Sequence, residues 1–146
     1  AVVFLTDRPG SRPRSRILSG LLRERAAMIQ RLNPTARYSD SVEHGGVVHV
    51  VEVPITETDD IASQSREVLE ALEASLALAG SGKDRLLMAT VYLTDIAAGY
   101  TAFNEEWERW LPAGSAPARA CVEVRALAHP GWKVEVAVSA ALREDD

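Results

Sequence analysis

Two short runs of residues that favour β-strands, the first beginning at residue 38, predict a β-hairpin. Residues 38–42 and 47–53 are rich in residue types that favour β-strands, and Gly45 and Gly46 lie between them. A Gly-Gly pair between two such runs is typical of a tight turn, because both turn positions take a positive φ. We therefore expect an antiparallel pair of strands at this point.

Apolar residues at helical spacing predict two helices after the hairpin. The first covers residues 61–79, preceded by capping residues at 58–60 and followed by Gly80. The second covers residues 98–111 and is followed by Pro112. Its aromatic residues fall on one stripe of the helix and are Tyr100, Phe103, Trp107 and Trp110. We interpret this stripe first as part of the core and second as a binding surface.

Three further strands are predicted at residues 86–94, 119–127 and 132–142, which gives the order β-β-α-β-α-β-β. Side chains alternate across a strand, so each of the last two strands has two faces. We expect Ala120, Val122 and Val124 to lie under the helices together with the alternate valines of the last strand. Their opposite face would carry Arg119, Cys121 and Glu123 beside Glu135, Ala137 and Ser139, a mixture that suits burial against a partner subunit.

The N-terminal residues differ from the rest in charge and pattern. Residues 1–27 carry six arginines against two acidic residues, whereas residues 28–146 carry ten basic and 19 acidic residues. We predict an N-terminal extension over 1–27 that is poorly ordered at residues 8–16, with a short helix at 17–27, and one domain over 28–146. An arginine-rich leader is also typical of organellar import, which is the alternative to a cytoplasmic location.

Composition and charge exclude several classes of function. The acidic body would repel a phosphate backbone, so we expect no nucleic-acid partner. No apolar run approaches the roughly 18 residues of a membrane span, so no membrane partner is expected either. The chain has one cysteine, which excludes an internal disulfide, and its three histidines are far apart in no metal-ligand spacing, so we expect no metal site.

Arg119 and Glu135 are the residues best suited to chemistry. Pro117 fixes the start of the strand that carries Arg119, and a guanidinium matches a carboxylate with two parallel hydrogen bonds. Glu135 lies within an apolar run, where burial raises the pKa of a carboxyl group and a nearby arginine lowers it. Such a carboxylate can hold or activate a water molecule. The alternative is a simple interface salt bridge that involves Arg119.

Three other residues carry weaker signals. Cys121 has no histidine beside it in the sequence, so we interpret it as a small buried hydrophobic residue more readily than as a nucleophile. His49 alternates with valines and is typical of a structural histidine. Glu52, in the same predicted strand, is either surface charge or part of a pocket wall.

The segment Pro117-Ala118-Arg119-Ala120-Cys121-Val122-Glu123-Val124, followed by Val134-Glu135-Val136, resembles the RidA family, also called YjgF/YER057c/UK114. The resemblance extends over residues 33–142. It includes the helix start at residues 61–64, the strand at 89–95, and Phe103-Asn104 at the head of the aromatic helix.

This resemblance implies an α+β fold similar to that of chorismate mutase, with two helices packed on one face of a β-sheet. It also implies a homotrimer whose other sheet faces form a barrel, with pockets between subunits. The implied activity is the hydrolysis of 2-imino or enamine acids, released by pyridoxal-phosphate enzymes, to 2-keto acids and ammonia. No cofactor and no metal are implied.

The resemblance also implies a role for each of six residues. Arg119 would bind the carboxylate of a small anionic imine or enamine, and Glu135 would position the attacking water. The remaining four would form or support the substrate pocket, and they are Tyr38, Glu52, Asn104 and Cys121. Cys121 would contact the substrate through its backbone.

The chain departs from the family pattern at the end of the second strand. Where family deaminases usually carry Ser-Gly-Gln, this chain has Val50, Val51 and Glu52, and Asp40 stands where glutamine is common. A carboxylate at Glu52 would weaken the binding of an anion. The alternatives to a deaminase are therefore a catalytically weak trimer that binds a small carboxylate or a partner protein and, third, an endoribonuclease or translation inhibitor.

Overall fold

A six-stranded sheet with two helices on one face forms the body of the protein. The computed structural model describes residues 13–57 and 60–144. The sheet has the strand order β1-β2-β3-β6-β4-β5, in which only β4 and β5 run parallel. The elements are α1 (Pro13–Ala27), β1 (Gln30–Leu32), β2 (Ser41–His44), β3 (Val47–Glu52), α2 (Ile61–Leu78), β4 (Leu86–Leu93), α3 (Ile96–Trp110), β5 (Ala118–Glu123) and β6 (Val134–Ala141).

The predicted hairpin is confirmed, and its first strand starts later than expected. Gly45 and Gly46 both take positive φ values, 60° and 80°, and join β2 to β3. Residues 33–40 form a loop instead of a strand, because Asn33 has a φ of 48° and its side-chain amide donates to the Asp40 carboxylate at 2.8 Å. The short strand β1, which the sequence pattern did not indicate, pairs with β2 ahead of this loop.

Both predicted helices of the body are confirmed, and each begins at a capping carboxylate. Asp60 accepts a hydrogen bond from the backbone N–H of Ala62 at the start of α2. Asp95 accepts one from the backbone N–H of Ala98 at 3.0 Å, so α3 begins at Ile96, two residues before the predicted start.

The core lies between these two helices and one face of the sheet. Val48 and Val50 of β3, together with the alternate valines of β6, are buried there against the leucines of α2 and Phe103 of α3. Burial of such side chains stabilises the fold by about 1.5–3 kcal/mol each. The opposite face of the sheet, which we call the open face, carries no helix in the part of the chain that the structure describes.

The predicted arrangement of the last two strands is wrong for β5. We expected Arg119, Cys121 and Glu123 to share a face with Glu135. In the structure β5 pairs in parallel with β4, which places Arg119 opposite Ala89 and Cys121 opposite Val91, both in the helix-covered core. Glu135 lies opposite Tyr92, on the open face.

The physical reason is that β4 separates β5 from β6. The turn at residues 129–131 is not a hairpin turn between neighbouring strands, so the register of β6 does not fix the faces of β5. The residues expected under the helices, such as Val122, lie on the open face instead.

The N-terminal helix is longer than predicted. It covers Pro13–Ala27 instead of 17–27, so it includes the last four residues of the segment expected to be poorly ordered; residues 8–12 lie outside the described residues. Its leucines are about half exposed, and the carbonyl of Ala26 accepts a hydrogen bond from the N–H of Gly45. None of the helices described, α1 included, is both long enough and apolar enough to cross a membrane.

Candidate functional site

Arg119 is held in place by an amide and two aromatic rings of α3. Its Nη2 donates to Oδ1 of Asn104 at 2.9 Å, and its guanidinium carbon lies 5.4 Å from the ring centre of Trp107 and 5.9 Å from that of Phe103. Both rings are buried, so the cation–π contacts are shielded from water. A guanidinium has five N–H donors, so this arrangement fixes its plane and leaves donors for a carboxylate ligand.

Arg119 borders two adjoining cavities along one face of α3. Side chains spaced three or four positions apart line that face from Ile96 to Leu111. Arg119 and Tyr100 belong to both cavities. The cavity toward the start of α3 is lined by Ile96 and Cys121, and the cavity toward its end by Trp107, Glu108, Leu111 and the loop 112–114.

Cys121 is close to Arg119 but is not an activated thiol. It is half-buried against the core, and burial raises the pKa of its thiol, which the nearby Arg119 offsets only in part. A thiol with a raised pKa is a poor nucleophile at neutral pH. Cys121 therefore contributes to the cavity wall, and it lies on β5, which is an edge strand of the sheet.

Glu135 is half-buried on the open face and is not brought to Arg119 within one chain. Burial raises the pKa of its carboxyl group. The strands β5 and β6 are separated by β4, so their axes lie about 10 Å apart, and the two side chains point to opposite faces of the sheet. One chain therefore cannot place both groups on one small ligand.

Tyr38 lies at the other end of the strand order from Arg119. The side chain and backbone of Thr35 hydrogen-bond to the backbone of Tyr38, which fixes the loop between β1 and β2. The ring itself is 66% exposed. Tyr38 lines neither of the two cavities described above that Arg119 borders.

Glu52 faces the helix-covered side of the sheet. It lies opposite the buried Val136 at the end of β3, and its Oε1 accepts a hydrogen bond from Oγ of Ser75 in α2 at 2.7 Å. Two strands separate β3 from β5, so the repulsion that we expected between Glu52 and a carboxylate on Arg119 does not arise within one chain.

The contact of Trp107 and Phe103 with Arg119 was not predicted from the sequence. Their prediction as core residues is correct, and their ring faces also support the guanidinium. Helical spacing could have indicated this contact, because Asn104 and Trp107 lie three positions apart and therefore on one face of a helix, where both can reach the same side chain. Among residues 13–57 and 60–144, no three side chains of His, Cys, Asp or Glu are grouped so as to hold a metal ion.

Comparison with known families gives a match over most of the chain. The family described as endoribonuclease L-PSP matches residues 28–142. A RutC family protein from Haemophilus ducreyi is 40% identical over 116 residues, which cover 79% of this chain and 97% of that protein. The RutC family protein YoaB from Escherichia coli is 35% identical over 114 residues, which cover 78% of this chain and 98% of that protein.

Solved structures show the same fold. A member of the YjgF protein family from Neisseria meningitidis superposes with a TM-score of 0.77 at 36% identity, covering 82% of this chain and 99% of that one. A member of the YjgF/YER057c/UK114 family from Mycobacterium tuberculosis gives a TM-score of 0.70 at 27% identity, covering 79% of this chain and 100% of that one. These structures bear out the mixed α+β sheet.

Proposed function

The chain belongs to the family described as endoribonuclease L-PSP, which is also the YjgF/YER057c/UK114 or RidA family, and from this membership we propose that it hydrolyses reactive 2-imino and enamine acids. A protonated 2-imino acid and one water molecule give a 2-keto acid and ammonium. The carbon–oxygen bond to the water forms, the carbon–nitrogen bond breaks, and both protons of the water leave on the nitrogen. The proposal includes a cytoplasmic location, where pyridoxal-phosphate enzymes release such imines.

The observation that carries this proposal is the fixed guanidinium of Arg119 at the edge of two cavities. A 2-imino acid carries its carboxylate next to the reacting carbon. An arginine whose plane is already set by Asn104 and Trp107 therefore positions that carbon when it binds the carboxylate. Cys121 lines the cavity beside Arg119 where the reacting carbon would lie.

The proposal requires more than one copy of the chain. We place Glu135 of a neighbouring copy beside the ligand on Arg119, because the sheet separates the two residues within one chain. The exposed Tyr38 would likewise reach the ligand from another copy. A homotrimer that joins the open faces of three sheets would bury Val51, which is 56% exposed in one chain, and would shield Glu135 further.

The test of the activity is ammonia release. An amino-acid oxidase generates an imine in place, and the rate of ammonia formation is compared with and without the protein. We expect acceleration by the parent chain and its loss in Arg119→Ala. A parent that leaves the spontaneous rate unchanged contradicts the proposed reaction.

A mixing experiment tests whether Arg119 and Glu135 act from different chains. Arg119→Ala and Glu135→Gln chains are denatured together in equal amounts and refolded. If each site takes its arginine and its glutamate from two chains, random mixing leaves both residues intact at about a quarter of the sites. Activity at about that fraction supports the shared site, whereas an inactive mixture places both residues in one chain's site.

A trimer that binds small carboxylates without hydrolysis is the second candidate. It is favoured by the separation of Glu135 from Arg119 in one chain. Binding of a 2-keto acid without accelerated ammonia release would support it. An endoribonuclease or translation inhibitor remains third, because residues 28–146 carry nine more acidic than basic residues and would repel RNA.

A further inference from the structure

The cavity toward the end of α3 extends the proposed site beyond the group that Arg119 binds. Asn104 lies beside Arg119, and Leu111 follows seven positions later on the same face, so the cavity continues for about 10 Å along the helix axis. We propose that this cavity is a side-chain subsite, which selects 2-imino and 2-keto acids with neutral, apolar side chains over small or acidic ones. The inference rests on the proposed function for the orientation of the ligand.

The lining of this subsite is apolar away from Arg119, Asn104, Tyr100 and the rim residue Glu108. Trp107 of α3 and Leu111 at its C-terminal end contribute apolar atoms to it, as do Pro112 and Ala113 of the loop 112–114, which forms the outer wall. With the carboxylate on Arg119 and the reacting carbon toward Cys121, this cavity is the space left for the rest of the ligand. Each methylene group buried against such walls strengthens binding by about fourfold.

A tight turn fixes the outer wall. The N–H of Ser115 donates to the carbonyl of Pro112 at 3.1 Å, and Gly114 has a φ of 80°, as a type II turn requires at that position. The second residue of this turn, Ala113, accepts any side chain without backbone strain. A larger side chain at Ala113 can therefore fill the cavity without changing the turn.

Glu108 supplies the selection against acidic ligands. It is exposed at the rim of the cavity, one position after Trp107, and no ion pair engages it within residues 13–57 and 60–144. A second carboxylate at the far end of a ligand would lie near this like charge, which weakens binding by about fivefold at close range in water.

The experiment measures binding of stable 2-keto acids to the full chain by titration calorimetry, so that it does not depend on catalysis. We expect 4-methyl-2-oxopentanoate to bind at least tenfold more tightly than pyruvate, and 2-oxohexanoate more tightly than 2-oxoglutarate. Equal affinities for pyruvate and 4-methyl-2-oxopentanoate would overturn the subsite. That result would leave the hydrolase proposal intact if ammonia release is still accelerated.

Two variants locate the selection in this cavity. Ala113→Phe should lower the preference for 4-methyl-2-oxopentanoate over pyruvate at least tenfold, and an unchanged preference would overturn the inference. Glu108→Gln should reduce the preference for 2-oxohexanoate over 2-oxoglutarate about fivefold. The matched control is Glu105→Gln, on α3 but outside the cavity, and an equal effect of this control would show that the charge acts without a subsite.

If the keto acids bind in the expected order but no imine is hydrolysed faster, the subsite stands and the proposed reaction fails. If neither binding order nor hydrolysis is observed, both fail. The two proposals are therefore separated by the pair of measurements.

Discussion

The surroundings of Arg119 and Glu135 differ although both lie on the same sheet. Arg119 is oriented by Asn104 and by two buried rings of its own chain. Glu135 is half-buried on the open face, where burial raises the pKa of its carboxyl group and no helix covers it in the described part of the chain. Under the proposed function, one chain therefore supplies the anion-binding half of the site, and a second chain would have to supply the water-activating half.

The largest effect is expected from a charge placed at the centre of the open face, on which Glu135 lies. Ala137 lies opposite Val51 on β3 and Thr90 on β4. Ala137→Arg would place an unpaired charge in the proposed subunit contact, at a cost of about 3–5 kcal/mol. We expect monomers by sedimentation and no imine hydrolysis. Ala74→Arg, the same change on the exposed side of α2, is the control and should keep both mass and activity.

Glu135→Gln tests the water-activating half alone. Loss of a general base lowers the rate by about 100- to 10,000-fold, so we expect a fall of this size in kcat while the mass in solution stays that of the parent. In the parent, activity should decline on the acid side as the Glu135 carboxylate is protonated, at a pH above the ordinary range for glutamate because burial raises its pKa. A variant as active as the parent would remove Glu135 from the reaction.

The same substitution has a stability effect of known sign. A raised pKa in the folded state means that folding disfavours the charged carboxylate, so ionised Glu135 lowers stability above its folded-state pKa. Glu135→Gln should therefore raise the Tm slightly at neutral pH, and the difference should vanish below about pH 4, near the unfolded pKa. The exposed Glu70→Gln serves as the matched surface control.

Arg119→Lys tests the anion-binding half. Lysine keeps the charge but loses the planar fork, which costs about 2–4 kcal/mol, or roughly 30- to 1000-fold in kcat/KM. The Tm should change little, since Phe103 and Trp107 remain buried. Arg109→Lys, which changes an arginine outside both cavities, should keep full activity. Equal activity of Arg119→Lys and the parent would make Arg119 structural.

Deletion of residues 1–27 should have the smallest effect. The helix α1 has exposed leucines, and Ala26 accepts one backbone hydrogen bond from Gly45, worth about 1 kcal/mol. We expect the same mass by light scattering, the same activity and a Tm within a few degrees of the parent. A large fall in Tm would show that this segment packs on the body.

Local signals in the sequence predicted most of the elements. The turn at Gly45 and Gly46 follows from the need for positive φ, and α2 follows from apolar spacing and a capping aspartate. The helix α3 follows from its aromatic stripe and from Pro112 at its end, whereas its cap at Asp95 was not predicted. The strand β1 was missed because three residues are too few to show a period, and the loop after it depends on the side-chain contact between Asn33 and Asp40.

The sequence by itself determined that Arg119, Cys121 and Glu123 share one face of a strand, because side-chain alternation is a local property. Only the tertiary structure decided which face that is. Ala120 and Val122, which alternate with these residues in β5, were predicted to lie in the core. Parallel pairing with β4 instead places Arg119, Cys121 and Glu123 on the side of the sheet that faces α3, where Asn104 and two aromatic rings contact the guanidinium of Arg119. Alternation cannot encode this choice, because it depends on the register with a strand more than 20 residues away in the chain.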